Sequence, residues 1–97
     1  MVKVAAFNYV KEENVREFLA IAKELVERTN ALDHGCIKYE LWQDKSDPLC
    51  FIMVEEWEDQ KALDDHLNSL HFSELSPKMN DQTSKPPLLS IMEKVVY

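Results

Sequence analysis

Glycine occurs once in 97 residues, at Gly35, and that scarcity removes a whole class of sites. A phosphate cradle of the G-x-G-x-x-G or P-loop kind needs several glycines, so conventional dinucleotide and flavin binding is excluded. Cysteine occurs twice, at Cys36 and Cys50, too few for a disulfide scaffold and without a C-x-x-C pair. On the hairpin expected below, roughly seven residues at ~3.3 Å each separate the two thiols, beyond disulfide reach. Basic residues are also short: 11 Lys plus Arg face 18 Asp plus Glu, a formal net charge of −7. That field repels a phosphate backbone, and no basic stripe offsets it, so nucleic acid is not an expected partner. No apolar run approaches the ~20 residues of a membrane span, and the N-terminus lacks a basic-then-apolar secretion signal. One soluble, cytoplasmic domain over residues 1–97 is the expectation.

What is present has a clear order. "VKVAAFNYV" (2–10) is rich in β-branched and aromatic residues and predicts a strand. From Glu12 to Leu32 the period changes: Val15, Phe18, Leu19, Ala22, Leu25 and Val26 form one apolar helical stripe. His34-Gly35 ends that helix where a left-handed cap is wanted. "CIKYELWQD" (36–44) and "LCFIMVEEWE" (49–58) predict two strands joined by the turn "KSDP". Asp59 is the expected N-cap of a second helix running to Leu70. Residues 73–87 predict a short helical turn followed by loop, and "LLSIMEKVV" (88–96) a fourth strand. The order βαββαβ predicts an α+β, ferredoxin-like domain: a four-stranded antiparallel sheet with helices on one face.

Both faces of the sheet read as apolar. In the third strand Cys50, Ile52 and Val54 alternate with Phe51, Met53 and Trp57; in the first, Val2, Val4 and Ala6 alternate with Ala5, Phe7 and Tyr9. Helices on one side leave the other face in need of a partner. A homodimer through the face carrying Phe51 and Met53 is the expectation.

Two polar residues stand out on apolar faces. His66 lies in the middle of the face formed by Ala62, Leu63, Leu67 and Leu70. It is either a core histidine bonded to a backbone carbonyl or an imidazole facing a cavity, able to move a proton near neutral pH. Asn8 interrupts Val4, Ala6 and Val10 on the first strand, where a buried amide must be hydrogen-bonded. Trp57, at the end of the third strand and opposite Cys36, closes the core or the dimer interface, or touches a substrate. Glu55 and Glu56 occupy opposite faces, which excludes a paired-carboxylate site and leaves at least one of them solvated. His71 and Phe72 leave the second helix together. His66 and His71 are five apart, not the i, i+4 spacing of a helical metal pair, so no metal site is expected.

At these residues the chain resembles a known family. "HGCIKYELWQDKSDPLCFIMVEEWEDQKALDDHLNSLHF" (34–72) is similar to the antibiotic biosynthesis monooxygenase family in its strand-two glycine and Tyr-Glu-Leu, its Glu-x-Trp, and its His-Leu and His-Phe. "VAAFNYVKEENVREFLAIAKELV" fits that family's first strand and helix. The resemblance implies a dimeric α/β-barrel with the substrate cavity between sheet and helices. It implies oxidation of a small quinol-like or polycyclic aromatic substrate by O₂ without a cofactor. His66 and Asn8 would then be catalytic, with Trp57, His71 and Phe72 binding substrate. Members that degrade haem, isomerise a phosphorylated sugar-like dione or carry no assigned activity leave alternatives: a non-catalytic small-ligand-binding or stress-related dimer, or a cofactor-free isomerase. The haem-degrading pattern matches Asn8, but its helix tryptophan falls at His66 and its histidine ligand at Ser76. The isomerase pattern needs a phosphate cradle that no basic cluster here supplies.

Overall fold

The computed structural model describes residues 1–97. The chain runs β1 (Val2–Tyr9), a 3₁₀ turn (Glu12–Asn14), α1 (Val15–Leu32), β2 (Cys36–Gln43), β3 (Cys50–Trp57), α2 (Gln60–Leu67), α3 (Leu70–Asn80) and β4 (Leu88–Glu93). The strands form one sheet in the order β2-β3-β1-β4, with every neighbouring pair antiparallel. This is the ferredoxin-like α+β arrangement. No helix is long and apolar enough to cross a membrane.

The long helix buries Phe18, Ala22, Leu25 and Thr29, a stripe at i, i+4, i+7 and i+11. Leu19, expected on that stripe, is exposed: the buried face is rotated toward Phe18 and Thr29. Gly35 then turns the chain with φ +82°. A Cβ there would also meet the Ala62 Cβ at 2.7 Å. The glycine therefore serves both the turn from the helix cap, Asp33, into β2 and the approach of α2.

The second helix ends earlier than expected. It stops at Leu67, and a new helix, α3, occupies residues expected to be turn and loop. Ser69 caps it, its hydroxyl accepting from the Phe72 N–H and donating to the His66 carbonyl. His71, Leu75 and Met79 recur every four residues and are all buried. Pro77 forfeits the hydrogen bond to the Ser73 carbonyl. Burial of Leu75 and Met79 offsets that loss, and the proline-containing composition misled because it hides this apolar stripe.

The fourth strand is also shorter than 88–96. Glu93 pairs with Val2, the first residue of β1, so nothing beyond it has a neighbour to bond.

The largest correction concerns the sheet faces. The register places Asn8 opposite Phe51, Ala6 opposite Met53 and Val4 opposite Glu55. These residues share one side, and that side lies beneath the helices, with the Phe51 ring 5.6 Å from that of Phe18. Phe51 and Met53 are therefore core residues, not an interface. The uncovered face carries Ala5, Phe7, Tyr9, Trp42, Ile52, Val54, Leu88 and Met92. There Trp42 is 58% exposed and Glu56 sits between Lys3 and Lys38, at 3.9 and 3.6 Å.

Candidate functional site

Between the covered face of the sheet and helices α2 and α3 lies a cavity of about 270 Å³. The sheet contributes Val4, Ala6 and Asn8 from β1, Tyr39 from β2, Met53 and Glu55 from β3, and Leu89 and Ile91 from β4. The helices contribute Leu63 and His66 from α2 and Phe72, Ser76 and Met79 from α3. Most of the wall is apolar, and no lysine or arginine reaches it.

His66 is 1% exposed and ringed by aromatic groups. Its centroid lies 4.8 Å from Trp57, 5.0 Å from Phe72 and 5.1 Å from Tyr39. Its Nδ1 faces the Asp33 Oδ2 at 2.5 Å, while its Nε2 is buried with no hydrogen-bond partner. Burial pushes the imidazole pKa down; the Asp33 carboxylate opposes this, and His71 adds to it. The backbone-carbonyl partner considered for a core histidine is absent, and a carboxylate takes its place.

Glu55 is the group that sequence reasoning passed over. Of the two neighbouring glutamates, Glu56 is the one on the open face, and Glu55 is buried on the cavity wall. Desolvation raises its pKa to about 7, partly opposed by the hydrogen bond that the Trp57 indole Nε1 donates to Oε1 at 3.0 Å. The signal was available: Glu55 interrupts Phe51, Met53 and Trp57, as Asn8 interrupts β1. Tyr39, cross-strand from Glu55, was also missed; burial raises its pKa well above the ordinary tyrosine value.

The expected site residues separate into two shells. Asn8, His66 and Phe72 line the cavity. Asn8, however, donates Nδ2 to the carbonyls of Ala6 and Phe51 at 3.1 and 3.2 Å. Its amide N–H groups are committed to the backbone, and they are not free to meet a developing anion. Trp57 and His71, expected to bind substrate, lie behind the wall. Trp57 supports His66 and Glu55, and His71 turns toward Asp33. Ser76, which the resemblance aligned with the histidine ligand of haem-degrading members, lines the cavity.

The i, i+4 spacing rule concerns two residues of one helix, and the break at Asn68-Ser69 puts His66 and His71 on two helices, so their spacing does not keep them apart. His66 and His71 come from different helices and converge on Asp33, their ligand atoms within 4.8 Å of one another. The Asp33 Oδ1 lies 2.8 Å from His71 Nε2, off the direction of a ring N–H, so this contact is close but not a hydrogen bond. Two ligands bound at ~2.1 Å to a tetrahedral ion stand ~3.4 Å apart. The separations of 2.5 and 2.8 Å here are shorter, and the aligned His66–Asp33 pair fits a proton between the groups better than a metal.

Comparison with known proteins places this geometry. The model of a family described as "Antibiotic biosynthesis monooxygenase" matches residues 1–78. A Bacillus subtilis (strain 168) protein named "Putative monooxygenase YcnE" is 31% identical over 86 residues, covering 89% of this chain and 90% of that protein. "Uncharacterized protein sll1783" of Synechocystis is 30% identical over 82 residues, covering 84% of this chain. This chain spans only 55% of the length of that relative. A solved structure of a conserved protein from Methanosarcina mazei Go1 superposes with a TM-score of 0.94 at 37% identity, over 97% of this chain and 92% of that one.

Proposed function

Because the chain belongs to the antibiotic biosynthesis monooxygenase family, we propose that it is a cofactor-independent monooxygenase for a small quinol-like or polycyclic aromatic substrate. The observation that carries this reading is His66: a buried imidazole on the wall of an apolar cavity, its Nε2 unpartnered. A lowered pKa keeps that nitrogen free to accept a proton near neutral pH.

The chemistry follows from those groups. An apolar ring enters the cavity and displaces water, which strengthens each polar contact inside. His66 Nε2 takes a phenolic proton, and the resulting phenolate is electron-rich enough to reduce O₂ directly. For a simple quinol the sum is quinol plus O₂ giving hydroxyquinone plus water. Glu55, its pKa raised to about 7 so that roughly half the molecules carry the proton at neutral pH, donates in that form a hydrogen bond to a substrate oxygen that gains charge. Asn8, also expected to be catalytic, has its donors occupied by backbone carbonyls and does not supply this hydrogen bond.

The open interior, lined by Asn8 and His66, supports an enzyme over a non-catalytic dimer. A phosphosugar isomerase lacks support, since no lysine or arginine lines the cavity. We also propose a homodimer through the uncovered sheet face, where Trp42, Ile52 and Leu88 would be buried.

Anaerobic loading of a panel of quinols and anthrone-like compounds, followed by air, tests the reading. Oxygen uptake with a product that has gained one oxygen and lost two hydrogens is the expected result. A panel that binds but consumes no oxygen above the uncatalysed rate would overturn it.

A further inference from the structure

We propose that Asp33 is a positioning residue that holds His66 in the Nδ1–H tautomer, leaving Nε2 as the acceptor at the cavity. The inference rests on the reading of His66 as the proton acceptor, but its structural core is independent of the substrate.

Asp33 follows the last residue of α1 and caps it, its backbone N–H bonding the Thr29 carbonyl. That cap sets the side chain beneath α2, where its 9% exposure leaves the carboxylate little water. A carboxylate so placed needs a donor, and the one in line is His66 Nδ1 at 2.5 Å; His71 Nε2, at 2.8 Å, is close but not aligned. An ionised Asp33 accepts only, so His66 Nδ1 must carry the proton. A neutral imidazole has one N–H, so its Nε2 is then a bare lone pair. This agrees with the absence of any acceptor near Nε2, which a buried N–H would require. The same carboxylate stabilises the imidazolium formed when Nε2 takes a proton, and it keeps the ring from turning.

Titratable groups from every packed element surround the ring: Asp33 at the end of α1, Tyr39 on β2, Glu55 on the β3 wall of the cavity, and His71 on α3. Among them Asp33 raises the His66 pKa and His71 lowers it. Removing the negative charge of Asp33 should therefore move the His66 titration to lower pH.

The test combines ¹⁵N-histidine NMR with pH–rate profiles of oxygen uptake for wild type, Asp33→Asn and Asp33→Ala. Wild-type His66 should show the Nδ1–H pattern. Asp33→Asn, which keeps an acceptor oxygen, should retain that pattern while the rate midpoint moves to lower pH and kcat falls roughly 10- to 100-fold. KM should change little. Asp33→Ala should convert His66 to the Nε2–H form; if that variant does not fold, the wild-type spectrum and Asp33→Asn decide alone. An Nε2–H pattern in wild type overturns the inference, as does an Asn variant with unchanged midpoint and kcat. An Nδ1–H spectrum in a protein that oxidises no quinol upholds the role of Asp33 and removes only the proposed function.

Discussion

The Trp57 indole donates its N–H to the Glu55 carboxyl at 3.0 Å, two residues along the same covered face of β3. One hydrogen bond to an ionised carboxyl does not offset the loss of water around it, so Glu55 titrates near 7 rather than 4.5. The raised pKa has a definite sign for stability. The contribution of Glu55 is fully present below its unfolded pKa and is lost as pH rises through its folded pKa. At 1.36 kcal/mol per pKa unit the loss is about 3 kcal/mol.

Glu55→Gln should therefore gain stability relative to wild type as pH rises from about 4.5 to 7. His66 has the opposite sign, since its lowered pKa costs stability as pH falls, but that slope is common to both proteins and cancels in the difference. Urea unfolding at several pH values reads the difference directly. A flat difference would mean that Glu55 is not held protonated by burial.

His66→Ala separates a proton acceptor from a core residue. Turnover of a responsive quinol should fall roughly 10²- to 10⁴-fold, the usual contribution of a positioned base. The wild-type rate should rise with pH through the imidazole pKa, and the variant should lose that rise. Loss of the ring also strands Asp33, so stability should fall by ~1–3 kcal/mol. Activity normalised to folded protein is thus the deciding measurement, and full residual activity would refute the catalytic assignment.

The two faces of β3 should respond differently to a charge. Ile52→Asp, on the uncovered face, should give a folded monomer in sedimentation where wild type sediments as a dimer. Phe51→Asp, beneath the helices, should unfold the chain, because an unpaired buried charge costs several kcal/mol. Circular dichroism distinguishes the two results. A wild-type monomer at micromolar concentration would remove the proposed dimer.

Gly35→Ala should destabilise more than a surface substitution. The left-handed backbone alone costs an L-residue about 1–2 kcal/mol, and the new methyl would press on Ala62. A thermal melt indistinguishable from wild type would mean that α2 withdraws freely.

Purified protein should carry no stoichiometric haem, flavin or metal. Absorbance spectra and elemental analysis check this, and about one equivalent of metal would redirect attention to Asp33, His66 and His71.

Residue order by itself determined the element sequence, the antiparallel sheet, the glycine at the end of α1 and the placement of Asn8 and His66 toward one layer. Each depends on local periodicity or on one polar residue interrupting an apolar face, and both survive in a linear string. Periodicity cannot state which of two apolar strand faces the helices will cover. Only the register, Asn8 against Phe51, put Met53 inside and Ile52 outside. Composition likewise concealed α3, whose helix depends on a cap at Ser69 and on burial of Leu75 and Met79 against the rest of the fold. The site itself was decided last. Asp33 and His66 are 33 residues apart, and nothing local marks the aspartate. The packing of α2 across the end of α1 takes water from both side chains, and that loss makes their hydrogen bond and the free Nε2 consequential.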